Sequence, residues 1–271
     1  MNMRQMAEHI SILTLLLVAT CAAFGQSDYR VIPVSNGGTI SGTVKWAGPL
    51  PRNIEFPVTK DPQVCDPDSK KTADLERLIV GSQGGVANTV VYLKNISRGK
   101  ALELPEARRH LDQKDCRYIP HILLVPENAV LSMQSSDATL HTVHMDGAAT
   151  LNLPFPFPGR VISRTLSNPG LVHIRCNGGH IWMSAELFVV RQPYYVVTGE
   201  SGDFELTDVP PGTYQIVAWH EGRSTGKEPS LDVSTGSNVD RPVFAEPKTW
   251  EQSVTVGNNE AVVVNFAIGD K

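Results

Sequence analysis

After residue 25, no stretch of this chain is long and apolar enough to cross a bilayer. Charge of one sign is not concentrated either. The net charge is -4 and the basic residues are scattered, so the electrostatic footprint of a nucleic-acid binder is missing. There is no Cys-x-x-Cys-His haem signal, and the Ser, His and Asp residues form no nucleophile elbow. Helical pattern is scarce as well. KKTADLERL and LPEARRHL are the helix-like pieces, both short and polar.

Three features narrow the compartment and class. The opening MNMRQMAEHI is followed by the apolar run ISILTLLLVAT and small residues ending AAFG, the pattern of a secretory leader. Ala23 and Gly25 stand where a signal peptidase prefers small residues, so cleavage is expected near Gly25 and the mature chain near Gln26. A lipoprotein reading through Cys21 is the alternative. Hydrophobic content of 41%, with 22 Gly and 19 Pro spread along the chain, describes a folded, turn-rich protein. A periplasmic or secreted location is expected. In an oxidising compartment the mature cysteines Cys65, Cys116 and Cys176 are odd in number, so one thiol is left over. The economical arrangement pairs Cys65 with Cys116 and leaves Cys176 free for a ligand role; three unpaired thiols are the other possibility.

Strand signals dominate: TISGTVKW, NTVVYL, YIPHILLV, AVLSMQS, LHTVHM, LVHIRC, AELFVV, YYVVT, DFELT, TYQIVAWH, SVTV and AVVVNFAI. They are short, rich in Val, Ile, Thr and Tyr, and bounded by turn residues. An all-β chain is expected, most simply two antiparallel sandwiches. Its flavour changes at RQPYY, which places a boundary near Gln192 and gives a leader at 1–25, a first domain at 26–191 and a second at 192–271.

The chemistry sits in HIRCNGGHIWM, residues 173–183, which sets Cys176, His180 and Met183 in a short glycine-containing loop after a strand. Thiolate, imidazole and thioether form the soft ligand set that favours copper. A second imidazole has to come from another strand, and DATLHTVHM supplies His141 and His144. Side chains alternate in a strand, so His141, Val143 and Met145 share one face, while Val172, Ile174 and Cys176 share another. His141 is therefore the first choice, with His144 in reserve if a bulge intervenes. Trp182, Pro154 and Phe155 are expected to bury the site. His110, His121, His173 and His220 read as structural.

Residues 116–190 resemble the cupredoxin family, which carries a His on one strand and a Cys, His, Met loop after a late strand. The resemblance implies a Greek-key sandwich, with His141, Cys176 and His180 as equatorial ligands and Met183 as the axial one. The spacing is more similar to the second half of the binuclear loop in cytochrome oxidase subunit II, but Val172 stands where that loop needs another Cys, so a mononuclear centre follows. Zinc is the rival ion, since one Cys and two His with an open position also describe a catalytic zinc site; the nearby Met favours copper. A multicopper oxidase is excluded because none of the eight histidines forms a His-x-His pair.

YVVTGESGDFELTDVPPGTYQIVAWHEG resembles the carboxypeptidase regulatory-like domain, a small transthyretin-like sandwich, through Gly202, Phe204, Gly212 and Tyr214. The resemblance implies a stabilising or attaching module, and related folds bind carbohydrate. GGTISGTVKWAGPLP is similar to the opening strand of the same module, which suggests strands shared between the two halves. The resulting expectation is an exported copper-binding electron carrier, not an enzyme, with a redox partner protein and possible carbohydrate or cell-envelope contacts. Copper storage or delivery without redox traffic, and a cell-surface interaction or carbohydrate-binding protein, are the alternatives.

Overall fold

The computed structural model describes residues 29–52, 54–232 and 236–270. The leader and Cys21 lie outside them. The regular secondary structure of the described chain is nearly all strand, and no described helix is long and apolar enough to cross a membrane. The two helix-like pieces do not form α-helices. KKTADLERL contributes the short strand Thr72–Ala73, and LPEARRHL makes one 3-10 turn, Glu106–Arg108, before the strand His110–Lys114. The short α-helix Pro62–Cys65 lies elsewhere.

The first sandwich packs a four-stranded sheet on a five-stranded one. The smaller sheet runs Ile162–Thr165, Val130–Ser135, His110–Lys114, Arg117–Ile119. The larger runs Leu151–Phe155, His141–Gly147, Gly170–Arg175, Ser184–Val190, Ile122–Pro126. Alternation along these strands explains why they pair. Leu111, Leu131 and Met133 from one sheet meet Val143, Met145, Val172, Ile174 and Leu187 from the other in one buried cluster. Burying each such side chain stabilises the fold by about 1.5–3 kcal/mol.

The second sandwich draws on both ends of the chain. Tyr195–Val197, Val90–Lys94, Gly212–His220 and Lys248–Val256 form one sheet. In the other, Gly38–Trp46 pairs antiparallel with Asp203–Val209 and parallel with Ala261–Val263 and Phe266–Ile268. Strands from before residue 100 and after residue 194 therefore share these sheets. The hairpin Ser224–Asp232 with Ser237–Phe244 pairs only within itself among the described strands.

The two sandwiches meet at Val90, Ile122 and Trp219, where Phe188 stands edge-on to Trp219 with ring centroids 4.9 Å apart. Beside this apolar seam lies a buried ionic one. Glu221 binds His121 and receives Arg77 Nη1 at 2.8 Å.

Candidate metal centre

Two strand ends and one loop build the site. His141 opens the strand His141–Gly147 with its side chain on the buried face shared by Val143 and Met145, while Thr142 and His144 lie on the other. Antiparallel pairing of this strand with Gly170–Arg175 sets His144 opposite Arg175, so the chain leaves the second strand at Cys176 beside His141. Cys176, continuing the buried row of Val172 and Ile174, points to the same interior. The loop then turns back through Gly179, whose φ of +94° favours glycine. Backbone bonds from Met183 N–H to His180 O at 3.0 Å and from Cys176 N–H to Met183 O at 3.4 Å close it.

Three donor atoms converge as a result. Cys176 Sγ lies 3.9 Å from His141 Nδ1 and 3.9 Å from His180 Nδ1. All three ligand atoms fall within 4.8 Å of one another, and all three residues are buried. An ion bonded at about 2.3 Å to sulfur and about 2.0 Å to nitrogen, at a trigonal angle, holds them about 3.7 Å apart. The observed spacing is close to this, so one ion could bond all three atoms with little movement of the chain. Met183, 3% exposed, sits in the core cluster that also holds Cys176 and Trp182. His144 is turned away, with Nε2 3.0 Å from Asp146 Oδ2 and 3.0 Å from Arg175 Nη2.

The second ring nitrogens are anchored. His141 Nε2 is 2.9 Å from Asp137 Oδ2, and His180 Nε2 is 3.1 Å from Asp61 Oδ2. Each carboxylate holds the Nε2–H and aims Nδ1 at Cys176, the orientation metal-binding histidines require. Asp137 also accepts the N–H groups of Asp115 and Cys116, each at 2.8 Å, and Asp61 accepts Thr139 Oγ1–H at 2.6 Å. Burial pushes both carboxyl groups up, but their hydrogen-bond donors outweigh it and hold them below the usual range.

The sulfur is prepared in the same way. Gly178 N–H donates to Cys176 Sγ at 3.3 Å. A Cβ on Gly178 would stand 3.0 Å from Leu140 O and 3.3 Å from that sulfur. Burial raises the thiol, and the bonds from His141 and His180 overcome it, bringing Cys176 down to about 5. Burial lowers His141, whereas Asp137 and Cys176 bring it up to about 9. Between those values thiolate faces imidazolium, so an ion seated there displaces the Nδ1 proton of His141.

Sequence reasoning missed Asp61 and Asp137. Asp137 stands four residues before His141, a spacing visible in DATLH; Asp61 has no local signal. Trp182 stacks edge-on to His180 at 5.5 Å and donates Nε1–H to Cys116 O at 3.2 Å, and Phe155 pairs with His141 across the sheet. Cys65 and Cys116 form a disulfide, and among the described residues Cys176 is the free thiol. Asp137→Asn should weaken copper binding about 10- to 100-fold, the usual worth of a carboxylate behind a ligating histidine. A competition titration with a Cu(II) chelator checks this; unchanged affinity would remove Asp137 from the site.

No protein-family model matches the chain, and no curated protein does. Solved structures do. A copper-containing nitrite reductase from Thermus scotoductus SA-01 matches at 20% identity and TM-score 0.29, over 34% of this chain and 24% of its own. A purple cupredoxin from Nitrosopumilus maritimus matches at 14% and 0.26, over 30% of this chain and 98% of its own. A reduced amicyanin variant matches at 22% and 0.29, over 32% and 87%. The first of these is an enzyme, which corrects the expectation that the chain is not one: a likeness of this kind does not separate carrier from catalyst. The present chain spans about a quarter of that reductase. Each of these likenesses covers about a third of the present chain.

Proposed function

We propose that the chain is an exported copper protein in which His141, Cys176, His180 and Met183 hold one ion for electron transfer. The observation that carries this reading is the pair of equal 3.9 Å separations from Cys176 Sγ to two Nδ1 atoms, each ring braced by a carboxylate. A copper ion bound there would supply a one-electron Cu(I)/Cu(II) couple. The protein's part is to hold two imidazoles and a thiolate in one geometry suited to both states. Packing in a dense interior resists their movement, which keeps rearrangement small. Burial by Trp182 and Phe155 limits water access to the donors.

Export is supported by the leader-like first 25 residues and by the Cys65–Cys116 disulfide, a bond that persists in oxidising compartments. For the second sandwich the reading is a carboxypeptidase regulatory-like module that supports or attaches the first. Gly202, at φ +75° where an added Cβ would stand 2.2 Å from Val44 O, and the buried Phe204 are consistent with that pattern.

Visible and EPR spectra of the Cu(II)-loaded protein test the reading. Strong thiolate-to-copper charge-transfer absorption is expected, with a reversible potential and fast self-exchange. Absorption without reversible redox behaviour would leave storage or delivery. Absence of the band would leave a surface-interaction or carbohydrate-binding protein.

A further inference from the structure

We propose that Cys65, Cys116 and His180 form a second soft-metal site, closed while the two sulfurs are bonded to each other and opened when that bond is reduced. One ligand atom from each of these three residues lies within 4.8 Å of the others. Two thiolates and an imidazole suit Cu(I) or another thiophilic ion. The site adjoins the first centre and shares its His180, whose Nδ1 faces Cys176 and whose Nε2 is held by Asp61; with an ion in each centre, Nδ1 serves the first and the two thiolates hold the second.

The sulfurs are held close by more than their own bond. Cys116 occupies a two-residue turn, Asp115 and Cys116 both at φ +52°, pinned by Asp137 through both N–H groups. Cys65 ends the helix Pro62–Cys65, whose preceding Asp61 is tied to Thr139 and His180. Phe56 pairs with Ala73 to close the base of this segment. Reduction therefore frees two thiols on backbones that remain in place. Thiolates sharing one ion stand at most about 4.6 Å apart, twice the metal–sulfur bond length. Side chains on Cα atoms 5.0 Å apart reach that separation by rotation.

There is also a route in. A surface cavity of about 230 Å³ opens against Cys65 and carries Asp66, Asp68, Asp74 and Asp115 alongside Lys70 and Arg117, so its carboxylates outnumber its cations. A concave surface lined with carboxylates raises the local concentration of cations. Cys116 and His180 behind it are fully buried, so an ion passing Cys65 reaches a site closed to water on its far side.

The reducing step requires a two-electron donor, a dithiol or a phosphine. Each sulfur gains one electron and one proton as the S–S bond breaks. A dithiol donor closes to its own disulfide; a phosphine takes oxygen from water and becomes the oxide. Binding of Cu(I) then releases the thiol protons.

The test counts copper retained by the purified protein under anaerobic conditions against a Cu(I) chelator. The disulfide form should hold one Cu(I) per chain, and protein treated with a phosphine and desalted should hold two. Reoxidation with diamide should return the count to one without any substitution. The Cys65→Ser, Cys116→Ser double variant should hold one in either state. Cys176→Ser should hold none when oxidised and one when reduced, which separates this site from the first centre. A reduced wild-type protein that stops at one, or a double variant that still takes two, overturns the proposal. If the disulfide form binds none while reduction adds one ion that the double variant lacks, the first centre fails and this site stands.

Discussion

Cys176→Ser is expected to abolish the visible band of the copper-loaded protein and to lower its copper affinity by more than the about 10- to 100-fold attached to outer partners. A hydroxyl is a hard, weakly acidic donor at a position where the thiol already ionises at about 5. With sulfur gone, the charge-transfer transition has no donor. The fold should survive, because the new oxygen faces His141, His180 and Gly178 N–H, which satisfy it. A buried polar atom with partners avoids most of the about 1–3 kcal/mol cost of an orphan. Thermal unfolding of the metal-free variant should stay within a few degrees of wild type. His141→Gln provides the comparison: it keeps the thiolate but removes one imidazole and the partner of Asp137. A serine variant that kept full colour would discard the ligand assignment.

The same thiolate sets the pH behaviour of loading. Above about 5 no proton has to leave Cys176, whereas below it protons compete with copper for sulfur. Between about 5 and about 9 the proton released comes from His141. Calorimetry in buffers of differing ionisation enthalpy should record close to one proton per ion in that window.

The buried face that carries His141 was legible in the sequence because strand alternation is local. His141, Val143 and Met145 had to share a side, and the strand's place within the sheet buries that side. The same alternation set Cys176 on the buried side with His141 and left His144 beside Asp146 and Arg175. The shared strand Gly38–Trp46 was visible in its likeness to the second module. The bracing carboxylates were not. Asp61 reaches His180 from 119 positions away, on a segment that Thr139 and the Cys65–Cys116 bond both hold against the first sandwich. Strand Leu151–Phe155 escaped notice because Pro154 interrupts its pattern, and as an edge strand it tolerates the missing N–H. The hairpin Ser224–Asp232 with Ser237–Phe244 is charged and carries Pro229 and Pro242; as a two-stranded ribbon it lacks the one-sided apolar face that period-two reading detects.

Glu221→Gln should destabilise the chain more than any other single change at the seam between the sandwiches. Glu221 has a fully buried side chain and faces both Arg77 and His121, themselves 11% and 2% exposed. Removing one member of a buried ionic group leaves the others uncompensated, at a cost of about 3–5 kcal/mol. Arg77 keeps Gly222 O and Ser184 Oγ as acceptors, but Glu186 lies 3.9 Å off and is shared with His173. For a chain of this size the loss corresponds to roughly 10 °C in Tm. The pH dependence gives an independent check. Burial lowers His121, but the Glu221 charge and hydrogen bond, helped by Glu76 and opposed by Arg77, raise it above 6.5. The stabilisation it contributes is complete below 6.5 and is lost as pH rises through its folded value. In the variant, burial and Arg77 dominate and the direction reverses, so stability should increase as pH rises toward 6.5. Urea titrations at pH 5.5 and 8 measure both effects. A loss below about 1 kcal/mol, or an unchanged sign of the pH slope, would show that Glu221 does not hold the two sandwiches together.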